Sequence, residues 1–127
     1  MAYSTFEDLE LYKKARLFRN GIYSLIKKLP DEEKYNLGSQ MRRAATSLTN
    51  NIAEGHGRYH FQESIQFCRT ARGSLAELID DLNICSDQEY FSEDEMNKLK
   101  LIAQEINKML NGYIGYLKKR KDSDDRG

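Results

Sequence analysis

Apolar residues recur at alternating spacings of three and four in four separate stretches of the sequence. Such spacing places side chains on one face of an α-helix. The stretches run from Leu11 to Leu29, from Leu37 to Ile52, from Phe61 to Leu82 and from Leu99 to Leu117. Each helix needs a partner for its apolar face, so the pattern predicts an all-α fold in which four long helices share one core.

The boundaries of these helices follow from local signals. Pro30 disfavours helical geometry in the preceding residue, and the three acidic residues after it suit a helix N-terminus. The glycines of segment 55–57 end the second helix, and Ser92 with Glu95 forms a capping box that begins the fourth. The expected helices cover about residues 6–29, 31–54, 59–85 and 93–117.

Short connections between four helices of similar length favour an up-down-up-down antiparallel four-helix bundle. A chain of 127 residues suits one such domain, which we assign to residues 1–117. Segment 118–127 is almost wholly charged and has no apolar residue to bury. We therefore expect it to form a disordered tail.

The residue types needed for catalysis or cofactor binding are scarce. The chain has two histidines, His56 and His60, whereas a di-iron bundle requires two Glu-x-x-His pairs and further glutamates. Glu54 and Glu63 flank the histidines, but a zinc site needs more ligands at fixed geometry than a glycine-containing turn supplies. We expect exposed histidines, no metal, no cofactor and no enzymatic activity.

Cellular location is constrained by two further features. Cys68 and Cys85 lie in helical patterns without CxxC spacing, which favours buried, reduced thiols. No stretch approaches the ~20 apolar residues that a membrane-spanning helix requires, and the first residues lack the pattern of a signal peptide. These features predict a cytoplasmic protein that does not bind a membrane.

Two predicted helices have wider apolar faces than a lone bundle needs. The third helix carries a second stripe beside the first, and Ile102 and Met109 widen the stripe of the fourth. Extra apolar width either deepens the core or contacts another subunit. The interface hypothesis assigns four residues of the second stripe to a subunit contact: Phe67, Ala71, Ser74 and Leu78. Alternatively, the small residues on these helices permit close packing within one chain.

Two polar residues interrupt the apolar stripes. Asn51 lies on the stripe of the second helix, and Arg72 lies on the stripe of the third. A buried amide must be hydrogen-bonded and can fix the register of a helix pair. We therefore expect a structural polar cluster in which Glu54, with Arg72 or Arg58, contacts Asn51.

Charge is unevenly distributed although the formal net charge is zero. Eight acidic residues and no basic residue occur between Glu77 and Glu95, and segment 31–33 adds to the same end of an antiparallel bundle. The opposite end collects seven basic residues as candidates for nucleic-acid binding: His56, Arg58, His60, Lys118, Lys119, Arg120 and Lys121. With Tyr59 and Tyr116 nearby, this end could hold phosphates and stack bases. The alternative is a solvated surface whose lysines favour a helix C-terminus.

Segments 40–58 and 67–78 resemble the four-helix-bundle proteins encoded in intervening sequences of 23S ribosomal RNA genes, most specifically at residues 51–55. The resemblance extends from Phe6 to Leu117. It implies an up-down-up-down bundle that assembles as a ring, typically a homopentamer. It also implies an association with ribosomal RNA, and a related branch, the accessory variability determinant of diversity-generating retroelements, engages a reverse transcriptase and nucleic acid.

These features together predict a homo-oligomeric, pentameric bundle without enzymatic activity that accompanies RNA or a nucleoprotein complex. The alternative is a protein-binding scaffold with no nucleic-acid ligand. Steep salt dependence of RNA binding distinguishes the first hypothesis from the second.

Overall fold

The structure is a computed structural model that describes the backbone of residues 5–126 and the side chains of residues 5–124. A short 3-10 turn at Phe6–Asp8 precedes the helices. These are α1 (Glu10–Ile26), α2 (Asp31–Lys34), α3 (Leu37–His56), α4 (Phe61–Asp87) and α5 (Glu93–Arg126). No strand occurs in the described part of the chain, so the predicted all-α class is confirmed.

Neighbouring long helices run in opposite directions. On α3 and α4, Ser47 contacts Ser74, whereas Gly55, further along α3, lies against Ser64, which comes earlier on α4. The contacts of α1 with α3 and of α4 with α5 follow the same antiparallel order. Since α1 also contacts α5, the four long helices enclose a common core.

The core is made by the predicted stripes, with one adjustment on α5. Most stripe residues of α1, α3 and α4 are buried from Leu11 through Leu82, whereas Phe61 and Ile79, with the polar Asn51 and Arg72, are half-buried. On α5 the buried apolar residues are Met96, Ala103, Ile106, Leu110, Ile114 and Leu117. Leu99, the first residue of the predicted stripe, and Tyr113 are half-buried at the edge of the core. Burying each large aliphatic side chain stabilises the fold by roughly 1.5–3 kcal/mol.

The second predicted helix, residues 31–54, is divided into α2 and α3. At Asn36 the backbone leaves helical geometry, with φ −116° and ψ −89°. Close packing at the start of α3 accounts for the break: a Cβ added at Gly38 would lie 3.2 Å from Ile26 Cγ2. The sequence pattern does not contain this change of direction, because the contact depends on where α1 ends.

The last helix continues beyond its expected end at residue 117. The structure extends α5 to Arg126 in place of the disordered segment predicted for residues 118–127, and Gly127 lies outside the described residues. Two features favour the extension. Leu117 is buried, and the Arg120 guanidinium lies over the Phe61 ring at 5.4 Å from its centroid. Each added residue then gains a backbone hydrogen bond on a helix that is already nucleated.

The contact of α3 with α4 is closest at Gly55, in the last turn of α3. A Cβ at this position would lie 3.1 Å from Phe67 Cβ and 3.2 Å from the Ser64 carbonyl oxygen. Both atoms are fixed close to the backbone of α4, so neither can shift to make room without a loss of packing energy. Only glycine allows this separation of the helices.

We predict opposite effects of alanine at two helical glycines. Gly55→Ala should lower stability by about 1–2 kcal/mol, because the new methyl group forces α3 and α4 apart. Gly73→Ala is the matched control: position 73 is exposed and has open space around it, so the gain in helix propensity should raise stability by about 0.5–1 kcal/mol. Thermal unfolding followed by circular dichroism measures both. Equal stabilisation by both changes would contradict the close contact.

Candidate nucleic-acid interface

The α3–α4 turn and the C-terminal part of α5 meet at one end of the bundle. His56 Nδ1 lies 3.3 Å from the Tyr113 hydroxyl. Arg120 contacts the Phe61 ring, and its Nη1 donates a hydrogen bond of 3.0 Å to the Tyr116 hydroxyl. Residues separated by more than 50 positions in the sequence therefore form one surface. We call this surface, made by residues 56–61 and 113–121, the basic end.

Arg58 belongs to the basic end but is partly neutralised. Its Nη2 lies 2.8 Å from Glu54 Oε2, and its guanidinium covers the Phe67 ring at 4.6 Å from the centroid. Such an exposed ion pair contributes little stability. A phosphate can compete with Glu54 for the guanidinium because the pair is open to solvent.

The remaining cations of the basic end are accessible to different degrees. Lys118, Lys119 and Arg120 are exposed, and Lys121 is half-buried. His60 is exposed and meets the Tyr59 ring edge-on at 5.2 Å. An open cavity of about 370 Å³ lies between the turn and α5, and its lining residues are Tyr59, His60, Phe61, Gln62, Lys121 and Asp124.

Aromatic rings accompany these charges. The Tyr59 side chain is 92% exposed, and Tyr116 is also exposed. Tyr116 stacks on Tyr113 with 6.2 Å between the ring centroids, and burial raises the pKa of Tyr113. Tyr113 holds one face of Tyr116, and the Arg120 guanidinium lies over the same ring at 5.9 Å from its centroid, an arrangement of ring and cation that suits contact with an unpaired base.

Acidic residues collect at the opposite end of the bundle, as the topology predicts. The Tyr90 hydroxyl donates a hydrogen bond of 2.8 Å to Glu33 Oε2 and so ties the α4–α5 connection to α2. This hydrogen bond to the carboxylate, followed by burial and the neighbouring acidic charges, raises the pKa of Tyr90 to about 12. The acidic residues of segments 31–33 and 77–95 thus share one end.

The structure separates the three residues of the predicted polar cluster. Asn51 Nδ2 donates to the Ser47 carbonyl oxygen at 2.8 Å and to Ser47 Oγ at 3.0 Å, within its own helix. Glu54 pairs with Arg58, and Arg72 Nη1 donates to Asn111 Oδ1 on α5 at 2.8 Å.

Serines make the polar link between α3 and α4 in place of that cluster. Ser74 Oγ donates to Ser47 Oγ at 2.8 Å. Sequence analysis missed Ser47 because a serine beside an apolar stripe is ordinary at a helix surface. The sequence did contain a signal for Ser74, because this residue belongs to the second stripe of the third predicted helix.

The residues predicted as a subunit interface lie within the chain. Ala71, Ser74 and Leu78 are buried in the described chain, and Phe67 is half-buried beneath Arg58. The wide face of α4 is thus explained by a helix that packs against both α3 and α5. Ala71, Ser74 and Leu78 are therefore unavailable to a partner, which corrects the interface hypothesis for these three residues in favour of close packing inside one chain. Phe67 keeps part of its surface exposed.

Exposed apolar side chains occur elsewhere, on α1 and α5. Leu17 is 74% exposed and Leu101 is 60% exposed, with Ile102 beside it. An ion pair between Lys14 and Glu105 joins the two helices. Leu17 follows Lys14 by one helical turn and Ile102 precedes Glu105 by one turn, so in antiparallel helices they lie on the same side of this pair. We call these three residues the α1–α5 patch.

Neither the cysteines nor the histidines form a reactive or metal-binding group. Cys68 and Cys85 are buried, free thiols, as predicted, and burial raises the pKa of each to about 11. In the part of the chain that the structure describes, no three His, Cys, Asp or Glu side chains are placed to hold a metal ion. No described helix combines the length and apolarity needed to cross a bilayer.

Asp81 is a buried carboxyl group on α4. It is 6% exposed and faces a groove that Gln40 and Arg43 of α3 line from the other side. Burial, followed by the charges of Asp80 and Glu77, raises its pKa from 3.8 to about 6. The native state therefore favours the protonated form, and Asp81 destabilises the fold once it ionises.

We predict that Asp81→Asn stabilises the protein in a pH-dependent manner. A carboxyl group with a raised pKa in the folded state contributes stability below about pH 4, and that contribution is lost as pH rises through about 6. The variant should therefore exceed the wild type by up to about 3 kcal/mol at pH 7.5, at 1.36 kcal/mol per pKa unit, and by little at pH 4. Thermal melts across this range measure the difference.

The control is Asp87→Asn, which changes an exposed aspartate of α4 that is not among the charges raising the pKa of Asp81. It should show a small difference from the wild type that varies weakly with pH. A constant stability difference for Asp81→Asn between pH 4 and pH 7.5 would contradict the raised pKa.

Comparison with known proteins supports the fold and the sequence resemblance. A family model described as "23S rRNA-intervening sequence protein" matches residues 7–112. A crystal structure of a protein of unknown function from the S23 ribosomal protein family of Bacteroides thetaiotaomicron VPI-5482 is similar, with a TM-score of 0.77 and 24% sequence identity. The alignment covers 82% of this chain and 97% of that chain. No protein with curated annotation matches the chain.

Proposed function

Because the chain belongs to the 23S rRNA-intervening sequence protein family, we propose that it is a homo-oligomeric accessory protein without enzymatic activity that associates with RNA in the cytoplasm. The observation that carries this proposal is the convergence of Arg58, Arg120 and the neighbouring lysines with two exposed tyrosines at one end of the bundle. The matched family is named after a ribosomal RNA element, which agrees with RNA as the ligand.

Each group at the basic end has a role in this proposal. Lys118, Lys119 and Arg120 neutralise phosphates, and Arg58 joins them when a phosphate displaces Glu54. Tyr59 and Tyr116 stack unpaired bases, an interaction that every base can make. Recognition of this type tolerates sequence changes in the RNA and depends strongly on salt.

The acidic end affects how RNA approaches the bundle. Its carboxylates repel phosphates, so RNA makes its first contact with the bundle at the basic end. A ring of five copies aligned in parallel would place five basic ends on one face. Several weak contacts on one RNA molecule then combine through effective concentration.

We propose that the α1–α5 patch forms the contact between copies. Leu17, Leu101 and Ile102 present apolar surface to solvent next to the Lys14–Glu105 ion pair. A second copy of the chain is the occupant that removes this surface from water without a further partner. The proposed contact leaves the basic end uncovered.

Charge substitution in the patch should reduce the oligomer to smaller species. In Leu17→Glu and Leu101→Glu a carboxylate would be buried in the contact, which costs several kcal/mol without a partner. Ala76→Glu adds the same charge at an exposed position of α4, away from the α1–α5 patch, and should leave assembly unchanged. Light scattering coupled to size-exclusion chromatography gives the mass. A monomeric wild-type chain, or unchanged assembly of both leucine variants, would contradict this contact.

RNA binding should weaken when the basic end is altered. Arg120→Ala, Arg58→Ala and removal of residues 118–127 should each lower affinity for single-stranded RNA. Each lost phosphate contact should reduce the salt slope by about 0.7. Fluorescence anisotropy with labelled RNA across a salt series measures affinity and slope together.

Lys98→Ala is the control for these variants, because Lys98 is an exposed α5 cation near the acidic end. It should bind RNA like the wild type. Weak binding that is equal in all variants and insensitive to salt would refute the RNA proposal. Salt-insensitive capture of a single protein partner would then favour the scaffold alternative.

A further inference from the structure

A second basic surface follows the seam between α1 and α3. Residues 11–30 contain six Lys or Arg residues and no Asp or Glu. Residues 35–53 contain no acid and two arginines, of which Arg42 lies at the seam and Arg43 lines a separate groove with α4. Since α1 and α3 are antiparallel neighbours, these two acid-free segments lie side by side. Lys13 pairs with Glu10 and Lys14 with Glu105 on α5, so the positive charge of the seam comes from the remaining cations, in a chain whose formal net charge is zero.

Arginine side chains on this seam are held by aromatic and hydroxyl groups. The Arg42 guanidinium covers the Tyr23 ring at 4.7 Å from its centroid, and the Tyr23 hydroxyl contacts Thr46 Oγ1. Arg19 Nη1 donates to Thr49 Oγ1 at 3.1 Å. No described carboxylate lies within ion-pair distance of Arg19 or Arg42. Both guanidinium groups are thus positioned but not neutralised.

The seam opens into a groove where α1 ends and α3 begins. Its volume is about 480 Å³, and its lining residues are Ile26, Lys27, Lys34, Tyr35, Ser39 and Arg42. Lys34 pairs with Asp31 at 3.0 Å, whereas Lys27 has no described carboxylate at such a distance. Tyr35 is 94% exposed. The groove thus combines a positioned guanidinium, an unpaired ammonium and an open aromatic ring.

We propose that this groove, which we call the α1–α3 groove, binds one nucleotide of a single-stranded RNA. Lys27 and Arg42 hold the phosphate, and Tyr35 stacks on the base. The inference rests on the proposed function, because it assigns a second contact to the same class of ligand. The groove lies at the opposite end of α3 from the basic end.

Three properties together fit a nucleotide. A guanidinium stacked on a ring presents its donors as a rigid fork that matches phosphate and carboxylate oxygens alike, so it selects an anion and leaves the choice of a base to Tyr35. The volume falls within the range of ~300–1,000 Å³ typical of sites for small ligands. Tyr35 is a single exposed ring beside polar residues, which suits base stacking and offers little apolar surface for insertion into a membrane.

Separation of the two sites along α3 has a further consequence. Arg42 and Arg58 are sixteen residues apart on α3 and the turn after it, which corresponds to about 24 Å at 1.5 Å per residue. A short oligonucleotide fills one site, whereas a long strand reaches both. Affinity should therefore rise with RNA length in the wild type and rise less in groove variants.

The test uses the full chain with labelled single-stranded RNA in fluorescence anisotropy. Arg42→Ala and Lys27→Ala should each weaken binding several-fold and lower the salt slope by about 0.7. Tyr35→Ala should weaken binding roughly tenfold without changing the slope, because stacking releases no counterions. Arg43→Ala is the matched control: Arg43 follows Arg42 but lines the groove with α4 beside Asp81, so its loss should change neither quantity.

Separate outcomes identify the failure of each proposal. Wild-type affinity in the Lys27, Arg42 and Tyr35 variants, with weakened binding in Arg120→Ala, would overturn the groove and leave the proposed function standing. The reverse pattern would support the groove alone. Equal competition by polyglutamate and RNA would also overturn it.

A second measurement keeps the groove testable if long RNA does not bind. Uridine monophosphate titrated into the isotopically labelled wild-type chain should shift the amide resonances of residues 27, 35 and 42, and Arg42→Ala should abolish those shifts. Absence of shifts in the wild-type chain would overturn the nucleotide site.

Discussion

The close approach of α3 and α4 is the interaction on which the rest of the structure depends. Gly55 brings the two helices together at the end of α3, and the hydrogen bond between Ser47 and Ser74 is the polar link of this contact. Because the helices nearly touch at Gly55, the turn that follows is held against α5. Packing in the interior thus sets the position of His56 and the other groups of the basic end.

Charge is arranged in two directions on this framework. Along the bundle axis, the α4–α5 connection and α2 are acidic, and the α3–α4 turn with the end of α5 is basic. Across the axis, the α1–α3 seam is free of acids. The formal net charge of zero is therefore a poor guide to whether the chain binds a polyanion, because the local potential depends on which face the polyanion meets.

Much of the fold could be predicted from the sequence, because the apolar spacing of each long helix reflects its own buried face. The family resemblance, carried by segments 40–58 and 67–78, is confirmed by the family match. Features that depend on contacts between helices could not be predicted. The break at Asn36 depends on the end of α1, and the burial of Ala71 and Leu78 depends on α4 having two neighbours. The grouping of cations at the basic end was predictable, because the antiparallel topology alone brings these segments together. The partner of Asn51 was not predictable, because its side-chain amide donates to Ser47 within the same helix.

The two thiols can report on the motions of this bundle. Cys68 lies beside Gly55 near the basic end, and Cys85 lies near the acidic end within the influence of Asp81 and Glu33. Both are buried, and their raised pKa values keep them as unreactive thiols in the closed bundle. A thiol reagent therefore reaches each sulfur only when the helices around it separate. The rate of alkylation at each cysteine reports local opening at one end of the molecule independently of the other.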